Sequence, residues 1–126
     1  MLIKNVKIIG ENEITDGFVR TANGKITEVG KTAREAENEE VIDGNGKYLS
    51  PGFIDLHVHG GGGYSAMGTP EDIVKMATAH MNYGTTSILP TTLAAPIAQL
   101  KTALLNIKEA KRICKTSNIL LSLIHI

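Results

Sequence analysis

The chain has 126 residues, 42% hydrophobic and 21% charged, which is typical of a globular protein with room for one ordinary domain and not for two. Its 13 basic and 13 acidic residues cancel, which excludes the basic surface of a nucleic-acid-binding protein and an acidic solvating tail. A single cysteine excludes a disulfide framework and a cysteine-rich zinc module, and neither a signal peptide nor an apolar run of about 18 residues is apparent, so we expect a cytoplasmic protein that does not span a membrane.

Residues 1–50 have the pattern of a small antiparallel sheet. Asn23-Gly24 lies between two alternating runs and predicts a hairpin, because both central residues of a type I′ turn need positive φ. The charge-rich stretch Lys31–Glu40 is interpreted as a solvated loop. The predicted strands, in chain order, are 2–9, 17–21, 26–30, 41–43 and 47–50.

From Pro51-Gly52 the pattern changes to that of parallel α/β structure. Residues 53–59 form a nearly continuous apolar run, typical of a strand buried on both faces. Thr69-Pro70 predicts the start of a helix and Gly84 its end. The predicted elements are a strand over 53–59, a helix from 70 to about 83, a strand over 85–89, a helix from about 96 to 114 and a strand from 118. The predicted inward-facing residues are Ile73, Met76, Ala77, His80 and Met81 in the first helix and Ile97, Leu100, Leu104, Ile107 and Ala110 in the second.

Strands that alternate with helices in this way begin a (β/α)8 barrel. A complete barrel needs about 250 residues, and two or three parallel strands cannot cover their own faces. Residues 51–120 therefore predict the first βαβα(β) units of an incomplete barrel, and we expect the chain to be truncated.

His57 and His59 are the candidate metal ligands. One residue separates them on a strand, so both side chains point to the same side, close enough for two imidazoles to hold one ion. They also lie at the carboxyl end of the first parallel strand, where barrel enzymes place their catalytic groups. Two histidines do not complete a catalytic site, since zinc hydrolases use three protein ligands and also need a general base.

Four further features bear on this site. Asp55 and Gly60–Gly63 each have two interpretations, and His80 and Cys114 each have a structural one. Asp55 shares the face of the histidine pair and is either a supporting group behind the ligands or a buried, hydrogen-bonded carboxylate. Gly60–Gly63 either borders the substrate or forms a plain strand-to-helix turn. His80, on the apolar face of the first helix, is expected to have a packing role, and Cys114 is expected to be a small apolar packing residue.

These residues carry a resemblance to a known family. The segment 51–59, PGFIDLHVH, resembles the opening motif of the amidohydrolase superfamily, in which a small β-sandwich precedes a (β/α)8 barrel. The segments 59–64, HGGGGY, and 83–92, YGTTSILPTT, are similar to the N-acetylglucosamine-6-phosphate deacetylase family. The resemblance covers residues 1–120, with 1–50 as the amino-terminal part of the sandwich.

The resemblance implies hydrolysis of the acetamide of N-acetylglucosamine 6-phosphate to glucosamine 6-phosphate and acetate. It implies a centre of one or two divalent ions, zinc, iron or manganese, with His57 and His59 in the first two ligand positions. The glutamate ligand, two later histidines and the aspartate acid/base of the family are expected beyond this chain, so the 126-residue chain alone is expected to be inactive. Members of the family are often dimers, which makes a homodimer an expectation for the full-length protein.

The last six residues depart from the family pattern. Residues 121–126, LSLIHI, are what the transposon-end adapter CTGTCTCTTATACACATCT encodes in one frame, so we interpret them as translated sequencing adapter, with a natural third strand and apolar tail as the alternative. Two further functional alternatives stay open. One is another amidohydrolase, a cyclic amidase or a deaminase, and the other is a non-catalytic metal-binding remnant of the fold.

Overall fold

A computed structural model of the chain describes residues 1–120. They divide into two compact units, Met1–Pro51 and a second unit that begins at Gly52. The interpretation of 121–126 as translated adapter concerns residues outside those described. No helix within residues 1–120 is long and apolar enough to cross a membrane.

The first unit is a five-stranded sheet of mixed direction. Its strands are β1 (Leu2–Ile9), β2 (Ile14–Ala22), β3 (Lys25–Gly30), β4 (Val41–Asp43) and β5 (Tyr48–Leu49). The order is β3-β2-β1-β4, with β5 also pairing with β1. The pairs β1–β2 and β2–β3 are antiparallel, and the β2–β3 turn has φ values of 51° at Asn23 and 71° at Gly24, which confirms the hairpin.

The prediction of a wholly antiparallel sheet is wrong for β4 and β5, which both run parallel to β1. The turn that separates them does not reverse the chain. Instead, it follows an irregularity in β1 at Asn5, whose φ is 54°: the Gly44 amide donates to the Lys4 carbonyl and the Gly46 amide to the Asn5 carbonyl. Asn45-Gly46 therefore interrupts one strand, whereas the sequence pattern looks like a reversal.

Hydrogen bonds from Arg20 anchor the predicted 31–40 loop to this sheet. Its guanidinium donates to the Glu39 carboxylate at 2.8 Å and to the Arg34 carbonyl at 2.6 Å, and it also pairs with Glu28. The hydrogen bond from Arg20 holds the pKa of the Glu39 carboxyl below its usual value. The stretch 31–40 contains neither helix nor strand, as predicted.

The second unit places two helices against a parallel three-stranded sheet. Its elements are β6 (Phe53–Val58), β7 (Gly60–Gly61), β8 (Tyr64–Ser65), α1 (Pro70–Met81), β9 (Thr85–Pro90), α2 (Ile97–Ile113) and β10 (Asn118–Ile119). The sheet order is β10-β9-β6, and β7 pairs with β8 in a separate two-stranded sheet. This is the order with which a (β/α)8 barrel would begin, and the complete barrel stays a prediction.

Both helices begin close to their predicted positions. The Thr69 hydroxyl accepts from the Asp72 amide and the Asp72 carboxylate accepts from the Thr69 amide, which forms a capping box at the start of α1. The core comprises Val58, Ala66, Ile73, Met76, Ala77, Ile88, Ile107, Ala110 and Ile119. One predicted core position is wrong: Ile97, the first residue of α2, is 72% exposed, and Ala103 is buried instead.

Strand β6 is not buried on both faces as its apolar sequence predicts. Phe53, Ile54 and Leu56 are 63%, 60% and 62% exposed, whereas Val58 is buried. Burial on both faces requires other elements to pack against both faces, and nothing within residues 1–120 covers these three side chains.

Candidate metal centre

Strand β6 brings the two candidate ligands together at its carboxyl end. His57 is the penultimate residue of the strand and His59 follows its last residue. Their Nε2 atoms are 3.1 Å apart and their ring planes meet at 79°, in an edge-on arrangement. His57 is exposed and His59 is half-buried.

The main chain of Thr91 sets the orientation of His59. The His59 Nδ1–H donates to the Thr91 carbonyl oxygen at 2.8 Å, because a carbonyl can only accept. A neutral imidazole with its proton on Nδ1 has its lone pair on Nε2, the nitrogen that faces His57. A hydrogen bond of this kind fixes the tautomer and the ring orientation of metal-binding histidines.

Thr91 is itself held firmly at the end of the neighbouring strand. It follows β9, it is 2% exposed, and its amide donates to the Val58 carbonyl at 2.8 Å. Its hydroxyl donates to the Leu89 carbonyl at 3.1 Å. Sequence reasoning missed this residue as part of the site. The available signal was its place directly after the second parallel strand, since carboxyl ends of neighbouring parallel strands lie side by side.

The separation of the two nitrogens fits a shared ion. With metal–nitrogen bonds of about 2.05 Å, a tetrahedral centre places two donor nitrogens about 3.3 Å apart. The observed separation of 3.1 Å is close to that value, and it is also a hydrogen-bond distance between the two rings. Two imidazole nitrogens are donors that suit Zn²⁺, Fe²⁺ or Mn²⁺.

The pair is an incomplete ligand set. Among residues 1–120, no three histidine, cysteine, aspartate or glutamate side chains are grouped so that they could hold one ion together. Asp55 is half-buried, and its Oδ1 accepts from the His57 amide at 3.0 Å. That contact holds the backbone at His57, which is a supporting geometry for this carboxylate.

The glycine-rich stretch forms a hairpin. Gly62 and Gly63 have φ values of 61° and 85°, and they join β7 to β8 in the manner of a type I′ turn. His80 of α1 contacts this hairpin: its Nε2–H donates to the Gly60 carbonyl at 3.2 Å. His80 is half-buried on α1 as expected, and this hydrogen bond to the hairpin backbone is a contact that the sequence did not predict. Cys114 packs against the core beside β10, also as expected.

Comparison with known proteins identifies relatives over most of the chain. No family model matches it. N-acetylglucosamine-6-phosphate deacetylase of Bacillus subtilis (strain 168) is 34% identical over 114 residues, which are 88% of this chain and 29% of that enzyme. The crystal structure of the enzyme of the same name from Pasteurella multocida matches with a TM-score of 0.77 at 29% identity, over 95% of this chain and 32% of its own.

Other amidohydrolases match shorter segments. A dihydroorotase of Enterococcus faecalis is 44% identical over 59 residues, which are 46% of this chain and 14% of that enzyme. An adenine deaminase of Listeria monocytogenes and an N-acetylgalactosamine-6-phosphate deacetylase of Escherichia coli O157:H7 also match. The chain spans 29% or less of the length of these curated relatives. The resemblance inferred from the motifs is confirmed: over most of its own length, and over a small part of theirs, the chain is a homologue of N-acetylglucosamine-6-phosphate deacetylases.

Proposed function

We propose that this chain forms part of a metal-dependent deacetylase that hydrolyses N-acetylglucosamine 6-phosphate to glucosamine 6-phosphate and acetate. In this proposal His57 and His59 are the first two protein ligands of a divalent ion. The observation that carries it is the 3.1 Å separation of their Nε2 atoms, with the His59 tautomer fixed by the Thr91 carbonyl. The homology to enzymes of this name supports the substrate class.

In this proposal each of the four residues at the site has a defined role. His57 and His59 would hold the ion, the Thr91 carbonyl keeps the proton of His59 on Nδ1 so that its Nε2 lone pair is free for the ion, and Asp55 holds the backbone at His57. An ion at this position would lower the pKa of a coordinated water and polarise the amide carbonyl of the substrate. The remaining ligands, the aspartate acid/base and the phosphate-binding groups belong, in this proposal, to the rest of a full-length protein.

The same proposal assigns the organisation of the molecule. Residues 1–50 form the amino-terminal part of a small sandwich domain, and residues 51–120 form the first units of a (β/α)8 barrel. Full-length subunits form homodimers.

The test uses the complete protein, from source DNA read beyond codon 120. After removal of metal with a chelator and return of Zn²⁺, Fe²⁺ or Mn²⁺, acetate release from N-acetylglucosamine 6-phosphate is measured. We expect His57→Ala and His59→Ala to lower kcat/KM by more than about 100-fold. Glu71→Gln, an exposed change in α1, is the matched control and is expected to leave the rate unchanged. Undiminished activity in both histidine variants would refute the assignment.

The second candidate activity is that of a cyclic amidase or a deaminase. The match to dihydroorotase, 44% over 59 residues, favours it because that segment is almost half of the chain. Dihydroorotate, adenine and N-acetylgalactosamine 6-phosphate are therefore assayed in parallel. Turnover of dihydroorotate or adenine with no acetate release would replace the deacetylase by this second activity. Metal binding without any turnover would instead support a non-catalytic remnant.

A further inference from the structure

His80 makes a contact with backbone that ordinary core packing does not require. It lies in the last turn of α1, is half-buried, and donates from Nε2 to the Gly60 carbonyl at 3.2 Å. Gly60 is the first residue of β7 and directly follows His59. The bond therefore ties helix α1 to the peptide group adjacent to a candidate ligand.

The fit between this imidazole and the hairpin depends on the absence of side chains. A Cβ added at Gly61 would lie 2.3 Å from His80 Nε2 and 2.8 Å from its Cδ2. A Cβ added at Gly62 would lie 2.7 Å from the Cβ of Ala79. Because real Cβ atoms do not approach so closely, a side chain at position 61 would require the His80 ring to move from the position in which it donates to the Gly60 carbonyl.

The hairpin also returns to His59. The Ala66 amide, one residue beyond β8, donates to the His59 carbonyl at 2.8 Å. The chain therefore leaves His59 at Gly60, passes through the hairpin, and returns to bond the carbonyl of His59. A change in the position of the hairpin would move the backbone of His59, while its ring is held by Thr91 from the neighbouring strand.

We propose that His80 is a positioning residue for the metal centre, which it serves by fixing the Gly60–Ser65 hairpin and so the backbone of His59. This rests on the proposed function as far as the metal is concerned. The fixing of the hairpin is independent of it. His80 touches neither of the candidate ligand rings in this role, and its action is transmitted through the Gly60 peptide.

The test measures metal affinity and hairpin mobility separately in the complete protein. Dissociation constants for Zn²⁺ are obtained by competition with a chelating dye, and amide hydrogen exchange is followed at residues 61–65. We expect His80→Ala to weaken Zn²⁺ binding about tenfold and to accelerate exchange in the hairpin. His80→Gln, whose amide NH₂ can donate to the Gly60 carbonyl, should restore most of both properties. Glu71→Gln on the same helix is the control and should change neither.

A second substitution approaches the same contact from the other side. Gly61→Ala should displace the imidazole and weaken binding to a similar extent, whereas adding Gly61→Ala to His80→Ala should cost little more, because the ring it displaces is already gone. If His80→Ala does not fold, His80→Gln is compared with Gly61→Ala/His80→Gln. The methyl group at position 61 would displace the glutamine amide from the Gly60 carbonyl, so the Zn²⁺ affinity restored by His80→Gln should be lost again in the double variant.

The outcomes separate the two proposals. Failure of the unaltered protein to bind any of Zn²⁺, Fe²⁺ and Mn²⁺ would overturn the proposed function, and hairpin exchange would still decide whether His80 fixes the hairpin. Zn²⁺ binding that is unchanged in folded His80→Ala and Gly61→Ala would overturn the inference about His80 and leave the proposed function standing. Equal losses in His80→Ala and His80→Gln would also overturn it, because the hydrogen bond would then be irrelevant.

Discussion

The exposed apolar face of β6 predicts that the isolated 126-residue chain self-associates. Ile54 and Leu56 are 60% and 62% exposed, and they share one face because side chains alternate along a strand. Within the described residues β6 is also an edge of its sheet, so unpaired backbone groups accompany this apolar surface. An edge of this kind is a template for pairing with another chain.

The strength of the effect follows from the exposed fractions. Complete burial of an isoleucine or leucine side chain is worth about 2.5 kcal/mol. With about 60% of each side chain available, association that covers both gains roughly 3 kcal/mol, or about 150-fold in the dissociation constant. The double substitution Ile54→Ser/Leu56→Ser is therefore expected to raise the concentration at which assemblies form by about 100-fold.

Sedimentation velocity and light scattering over a concentration series measure this shift. The matched control is Ile97→Ser/Leu105→Ser, which changes an isoleucine and a leucine that are 72% and 66% exposed on α2. The exposed apolar area is similar in the control, but only Ile54 and Leu56 lie beside unpaired backbone groups that can align a second chain over them, so we expect the control to shift the concentration less than tenfold. Equal shifts in the two variants would refute the reasoning, as would an unaltered chain that is monomeric and melts in one sharp transition.

Three further predictions concern stability and are measured by urea or acid unfolding of the complete protein. Ile88→Ala removes three carbons from a fully buried position in the central strand β9 and is expected to cost about 3 kcal/mol, whereas Ile97→Ala, 72% exposed, should change stability by less than about 0.5 kcal/mol; equal costs would contradict this packing. Thr69→Ala removes the hydroxyl that caps α1 and should cost about 1 kcal/mol, an expectation that an unchanged urea midpoint would refute. Because the hydrogen bond from Arg20 lowers the pKa of Glu39, its contribution is present above about pH 4.5 and is lost as the pH falls further, so Glu39→Gln should flatten the acid-unfolding profile in that window; an identical profile would contradict it.

Sequence reasoning succeeded where a structure depends on neighbouring residues. Thr69 and Pro70 determine the start of α1 by themselves, as N-cap and first helical residue. Asn23 and Gly24 likewise determine the hairpin, because its turn requires positive φ at both positions. These signals need no knowledge of the rest of the molecule. Apart from the β7–β8 hairpin, which was not predicted, the helix and strand positions of the second unit could therefore be predicted to within a few residues.

The errors arose where distant residues decide the outcome. The direction of β4 is that of its pairing with Leu2–Lys4 of β1, far earlier in the chain, and the short turn between β4 and β5 gives no local sign of it. The apolar pattern of β6 correctly predicts a strand, yet its burial depends on what lies beside it. Burial is a property of the partner surface, which a single segment cannot specify.

His59 shows how the two kinds of information combine in the candidate site. The spacing of His57 and His59 determines that both side chains lie on one face of β6, and this can be deduced from the sequence alone. The proton position on His59 is set by a carbonyl 32 residues later in the chain, and the Gly60 peptide beside it is held by a histidine 20 residues later. A His-x-His pair without these partners would present the same donors but no fixed tautomer. Its rings would have to be oriented when an ion binds, which lowers the affinity. The metal affinity proposed for this site therefore depends on the pairing of β6 with β9 and on the hairpin as much as on the two histidines.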